Sequence, residues 1–348
     1  MAGLLSRLKT AFFTNTSFKQ PAVNTNQDIE TQLPLSISPA SASAGFYRSL
    51  FGRAENIDKI TVPQKLIIDV VSQSMSKTDQ RLKVVPRLPA IIPRLLQSLR
   101  DNNSSSKDYV NIINKDPAMA AAVLRLANSV YFNPQAKRIT SIDTAVVKLG
   151  LDGLRSVVSA AVMQPVIECK SIYFSDFGHK LWQHSLCCAV ACEIVAHRRG
   201  LNPYKAYLLG LFHDMGKIIL FTELCQQYKI NSSSASPIMP SYASFAPLME
   251  ALSPALSLSI AQDWQLPEEI CSALAHQVST QPEKISDPYA RLLFQINLAC
   301  EIYFSLRQAS KADQPSFEVS AKKSLAEMDL PDNLFAKLDS LSVQVPKA

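Results

Sequence analysis

No two cysteines in this chain are spaced CxxC, although there are seven of them, at 169, 187, 188, 192, 225, 271 and 300. That argues against a thiolate zinc site. An odd number scattered through apolar contexts suggests the reduced, buried thiols of a cytoplasmic protein. Glycine is scarce, nine in 348 residues, while leucine and alanine abound. This balance disfavours a turn-rich β architecture and favours helices. A polybasic patch is missing too: the net charge is only +6, and the longest basic clusters are dipeptides such as Arg198-Arg199 and Lys322-Lys323. Nucleic-acid binding is therefore not expected. No stretch approaches the ~18 consecutive apolar residues of a membrane span. The start, MAGLLSRLKTAFF, has no apolar region long enough for a signal peptide.

What is present is a folded, helical composition, with 47% hydrophobic residues. Residues 2–13 can form a short amphipathic helix, with Leu4, Leu5, Leu8 and Phe12 opposite Arg7 and Lys9. Residues 14–45 are rich in Asn, Thr, Gln, Ser and Pro and read as a linker or disordered arm. A short helix is expected over 62–76, and the organised body begins near Leu82. LPAIIPRLLQSLRD carries a helical stripe at 91, 92, 95, 96 and 99. Asp116 followed by Pro117 marks a helix start, Ser141 marks another, and Gly150 marks a stop. A long helix is expected over 177–199. Asn202 and Pro203 should begin one further helix running through NPYKAYLLGLFHDMGKIILF. Residues 232–247 read as a loop, with helices near 249–263, 267–277 and 287–307 and two short ones to close.

His213 and Asp214 stand side by side within an apolar run. Neighbours on a helix are ~100° apart, so an imidazole and a carboxylate from one turn can converge on one cation. His184 and His276 are candidates for a third ligand. Lys217, one turn on, could hold a phosphate oxygen, and a metal so held could activate water against a phosphoester. The competing reading is plain. Asp214 and Lys217 form an i,i+3 ion pair worth ~0.2–0.5 kcal/mol if exposed, and His213 is a hydrogen-bonded core residue. Trp182 and Trp264 read as core anchors, and His179 and His197 as residues near helix ends.

LWQHSLCCAVACEIVAHRRGLNPYKAYLLGLFHDMGKIIL resembles the central segment of the HDOD domain, a regulatory offshoot of the HD metal-dependent phosphohydrolase superfamily. RLPAIIPRLLQSLRD, IINKDPAMAAAVLRLANSVYF and RITSIDTAVVKLGLDGLRSVV resemble its N-terminal half in order and spacing, and WQLPEEICSALAHQ resembles a later segment. The resemblance covers roughly 82–305. It implies an all-α fold, a helical bundle of two packed subdomains with the HD-like core in the second half. The expected division is an arm over 1–60, a short helix and linker over 61–81, subdomains over 82–167 and 168–308, and short helices over 309–348.

Carried over by position, His184 matches the family's first histidine, and His213 and Asp214 match its signature pair. His276 matches one histidine of a later pair found in some metal-binding relatives. Three positions depart: Ser253 and Gln277 stand where histidines are expected, and Asn297 where the final aspartate is. The resemblance therefore implies a non-catalytic regulatory module in bacterial signalling. It would act through contacts with other signalling proteins and could respond to a nucleotide ligand. The alternative is a residual metal-dependent phosphohydrolase with one divalent ion at His184, His213, Asp214 and His276, and Lys217 on phosphate. A third reading is a scaffold recruited to a membrane by residues 2–13, although membrane contact is not expected.

Overall fold

The computed structural model describes residues 37–51, 60–77, 85–97, 106–169, 171–232, 238, 240–278, 285–307 and 314–342. Every regular element among them is a helix. In chain order these are α1 (Pro39–Phe51), α2 (Val62–Ser76), α3 (Ile91–Gln97), α4 (Ser106–Asn114), α5 (Pro117–Ala127) and α6 (Ile142–Ile167). Then come α7 (Phe177–Arg198), α8 (Pro203–Phe212), α9 (Met215–Asn231), α10 (Tyr242–Asp263), α11 (Glu268–Val278), α12 (Pro288–Leu306), α13 (Gln314–Glu327) and α14 (Leu334–Ser342). The amphipathic segment 2–13 lies outside the described residues.

The helix starts follow from local chemistry. Asp116 Oδ1 accepts from the amides of Ala118 and Met119, and Pro117 occupies the first turn, where its missing N–H costs nothing. Ser141 Oγ accepts from Thr144 N, and Asn202 Oδ1 from Lys205 N, each satisfying an otherwise orphaned donor. Thr61 and Gln64 close a reciprocal capping box at α2. Gly150 takes φ +70, so the chain turns sharply there, yet helical residues continue on both sides within α6.

The centre of the bundle is α7, buried on nearly every side from Phe177 to Ala196. It packs against α6, α8, α12, α14 and α1. Helix α10 is long and apolar enough to cross a membrane, but most of its apolar stretch is buried inside the bundle. Trp182 is a fully enclosed anchor. Trp264 is half-buried, and its indole N–H donates to the Pro86 carbonyl at 3.0 Å, tying the end of α10 to the strandless lead-in of α3.

Three expectations are corrected. The arm drawn over 1–60 contains α1, which buries Ala42, Phe46, Tyr47, Leu50 and Phe51. These positions recur at helical spacing, a stripe masked by the surrounding Ser and Pro. The loop drawn over 232–247 gives way to α10 at Tyr242, where Ser244 Oγ accepts from Ser241 N and Phe245 is fully buried. The single helix drawn through NPYKAYLLGLFHDMGKIILF is two, α8 and α9, broken at His213 and Asp214. Asp214 leaves helical geometry with φ −104 and ψ 12.

Candidate functional site

The break between α8 and α9 sets the geometry of the site. It turns His213 and Asp214 inward against His184 of α7, Lys217 of α9 and Asn297 of α12. Two glycines allow the close approach. A Cβ on Gly210 would meet the Cys188 carbonyl of α7, and one on Gly216 would collide with the Ser253 carbonyl of α10. The side chains are almost fully enclosed: His184 is 0% exposed, His213 1%, Asp214 5% and Lys217 5%.

His213 Nδ1 lies 2.7 Å from the Gly210 carbonyl. A carbonyl only accepts, so Nδ1 carries the proton, and the neutral ring presents a bare lone pair at Nε2. Burial holds the His213 ring below its ordinary pKa and pushes His184 down to about 3, with Asp214 opposing in both cases. Asn297 donates from Nδ2 to Glu301 Oε1 at 3.3 Å, which aims its Oδ1 inward. That oxygen is 3.1 Å from Nε2 of His184 and 3.1 Å from Nε2 of His213. The carboxylate of Asp214 lies 3.4 Å from each ring, through Oδ2 to His184 and Oδ1 to His213. Asp214 Oδ2 has no geometrically sound hydrogen bond, and His184 Nδ1 has none either.

Several acceptors thus converge with too few donors between them, an arrangement that suits a cation. Ligand atoms ~2.1 Å from a common ion stand ~3.0–3.4 Å apart, octahedral to tetrahedral. The separations of 3.1 and 3.4 Å fall in that range. The Nδ1–H to carbonyl bond of His213 is also the usual way in which a metal-binding imidazole is oriented. His184, His213, Asp214 and Asn297 would hold one divalent ion, which when bound supplies Lewis-acid chemistry and a more acidic water.

Charge works the other way. Lys217 Nζ donates to Asp214 Oδ1 at 2.6 Å, so a buried ammonium already balances the one ionised carboxylate of the cluster. Burial alone would raise the Asp214 pKa; the His213 ring and the Lys217 ammonium outweigh it and hold the carboxyl well below its usual range. Burial would lower Lys217, but Asp214 overrides it and holds the ammonium well above its usual value. Glu301 is pushed up to about 8 by burial, against the pull of Lys217, and so stays largely protonated near neutrality.

The centre is roofed by α1. The Phe46 ring lies 4.2 Å, centroid to centroid, from the His184 imidazole. Lys217 Nζ sits 5.3 Å from the Phe46 centroid and 5.6 Å from that of Tyr47. The cluster borders a cavity of about 240 Å³, lined by His213, Asp214, Lys217 and Asn297 themselves together with Tyr47 and Glu301. His276 stays on this wall, its Nδ1 bonded to the Ser272 carbonyl at 2.9 Å, while His184, His213 and Asp214 come together. Ser253 and Gln277 share the wall, and Gln277 Oε1 is buried without a partner.

Four residues of the centre escaped the sequence reading: Phe46, Tyr47, Cys188 and Glu301. Cys188 follows His184 by four residues and Glu301 follows Asn297 by four, so helical spacing from known site residues was the available signal.

The HDOD domain matches residues 85–280, more than half of the chain. An uncharacterized protein of Treponema pallidum is 22% identical over 244 residues, which cover 68% of this chain and 47% of that protein. The chain thus spans about half the length of that curated relative. Among solved structures, an HDOD domain protein of unknown function from Geobacter sulfurreducens is 24% identical, with a TM-score of 0.52 over 80% of this chain and 96% of that one. A protein from Shewanella amazonensis, provisionally described as a metal-dependent phosphohydrolase, is 17% identical, with a TM-score of 0.56 over 80% of this chain and 98% of its own. These two likenesses bear on the fold alone. With the fold all-helical and the domain match covering most of the helices that build the site, the chain belongs to the HDOD domain family.

Proposed function

We propose that this chain is a non-catalytic regulatory module of signal transduction, working through contacts with other signalling proteins. The observation that carries this reading is the charge balance of the HD-type centre, whose one ionised carboxylate is already paired with Lys217. His184 is fully buried beneath Phe46, and Lys217 is committed to Asp214 rather than free for a phosphate. The adjoining cavity of about 240 Å³ is below the ~300–1,000 Å³ usual for small-molecule sites. A nucleotide would therefore act from elsewhere on the surface or through opening of α1.

The alternative, a residual phosphohydrolase, draws support from the converging lone pairs of His184, His213, Asp214 and Asn297. One experiment separates the two. The chain supplied with Mn²⁺ or Zn²⁺ is assayed against p-nitrophenyl phosphate, nucleoside phosphates and cyclic dinucleotides. No turnover is expected. Turnover that disappears in His213→Ala would overturn the regulatory reading.

A further inference from the structure

The HD-type set lost its final carboxylate at Asn297, and its remaining carboxylate is held by Lys217 at 2.6 Å. A different donor stands close by. Cys188 lies one turn beyond His184 on α7, with Sγ 3.6 Å from His184 Nε2. One ligand atom from each of His184, Cys188 and His213 falls within 4.8 Å of the others, and all three residues are buried. For an ion bound at ~2.3 Å to sulfur and ~2.1 Å to nitrogen, a tetrahedral S–N edge is about 3.6 Å. Two imidazoles and a thiolate suit a borderline-soft ion such as Zn²⁺, whereas Mg²⁺ and Mn²⁺ favour oxygen ligands.

We propose that Cys188 is a metal ligand of this chain, forming with His184 and His213 a thiolate-containing centre for a zinc-like divalent ion. The thiolate replaces the carboxylate charge that Asn297 no longer supplies. On binding, the Cys188 S–H bond breaks, a metal–sulfur bond forms, and the proton leaves to solvent. The sulfur is not exposed to the cavity chemistry of a hydrolase, and the ion becomes a structural or sensing element. The structural or sensing role of the ion rests on the regulatory reading; its ligation by Cys188 rests on the geometry alone.

The test uses the whole 348-residue chain, stripped with a chelator and titrated with Co²⁺ alone. One ion per chain is expected, with a near-ultraviolet sulfur-to-cobalt charge-transfer band and release of one thiol proton. Cys188→Ser should abolish the band and weaken Co²⁺ binding by at least the roughly 10–100-fold typical of lost outer-shell partners. Cys300→Ser, which alters the thiol lying against Cys188, should leave band and affinity in place. No Co²⁺ uptake, uptake without the band, or a band that survives Cys188→Ser overturns the proposal. Because the band is read in the unaltered chain, a variant that fails to fold does not decide the matter. Phosphoester turnover by the cobalt-loaded protein would sink the regulatory reading and leave Cys188 ligation standing, so the two can fail separately.

Discussion

Asp214 and Lys217 show how burial changes the meaning of a pair that sequence spacing already suggests. Their i,i+3 relation is legible in the chain, and the structure joins them at 2.6 Å. On an exposed helix such a pair contributes ~0.2–0.5 kcal/mol. Here both partners are 5% exposed, so removing one strands the other in the core. Lys217→Met is expected to cost about 3–5 kcal/mol, read from urea denaturation. The double variant Lys217→Met with Asp214→Asn should recover much of that loss, because no unpaired charge remains. Equal losses in the single and double variants would show that the ion pair is not what the site needs. Asn297 was also legible, as an asparagine where the family resemblance calls for aspartate. Cys188 and Glu301 belong to no recognisable motif; their four-residue spacing from His184 and Asn297 was their one sequence mark, and it takes the packing of α7 and α12 to give that spacing meaning.

At the scale of elements, the break between α8 and α9 is the feature that most affects the site, and the sequence conceals it. LLGLF and IILF read as one apolar run. Asp214 stands at the N-cap of α9, where aspartate is favoured, yet it makes no side-chain cap bond and turns its carboxylate to Lys217 instead. Gly216 then brings α9 against α10, where its amide donates to Ser257 Oγ at 2.9 Å and an added Cβ would collide with a backbone carbonyl that has no rotamer to change. Gly216→Ala should therefore destabilise the fold by about 1–3 kcal/mol in thermal denaturation. Helix α1 was hidden by composition rather than by missing signal. Its carbonyl at Ser49 accepts from Lys180 Nζ at 2.7 Å, and Ser324 Oγ accepts from Ile37 N at 3.1 Å, so both ends are tethered to the body. Phe46→Ala should cost about 3–5 kcal/mol. It should also quicken the reaction of the buried thiols with an aromatic disulfide reagent; an unchanged rate would mean that α1 does not control access to the centre.

For the molecule as a whole, the family match over 85–280 leaves out α1 and α12, which nevertheless supply Phe46, Asn297 and Glu301 to the centre. The centre thus depends on helices that pack onto the matched segment from both sides of it in the sequence. A second titratable group, half-buried, lies where α6 packs on α7. Glu193 of α7 accepts from Ser156 Oγ of α6 at 2.8 Å, and nearby Ser159 of α6 and Tyr204 of α8 share a hydrogen bond of 2.8 Å. Burial pushes the Glu193 pKa up from 4.5 to about 7, opposed by the Ser156 bond and reinforced by Asp152. A carboxyl whose folded pKa is raised binds more protons folded than unfolded, so between about 4.5 and about 7 it makes stability fall as pH rises. Glu193→Gln keeps the acceptor for Ser156 and removes the titration. The variant should match the parent near about pH 4 and exceed it by on the order of 1–3 kcal/mol near about pH 8. His184 and His213, whose pKa values are lowered, act in the opposite sense on the acid side. They are common to both proteins, so the difference between the two denaturation curves isolates Glu193. A constant difference across that pH range would mean that the carboxyl ionises freely in the folded chain and that the α6–α7 contact is solvated rather than sealed.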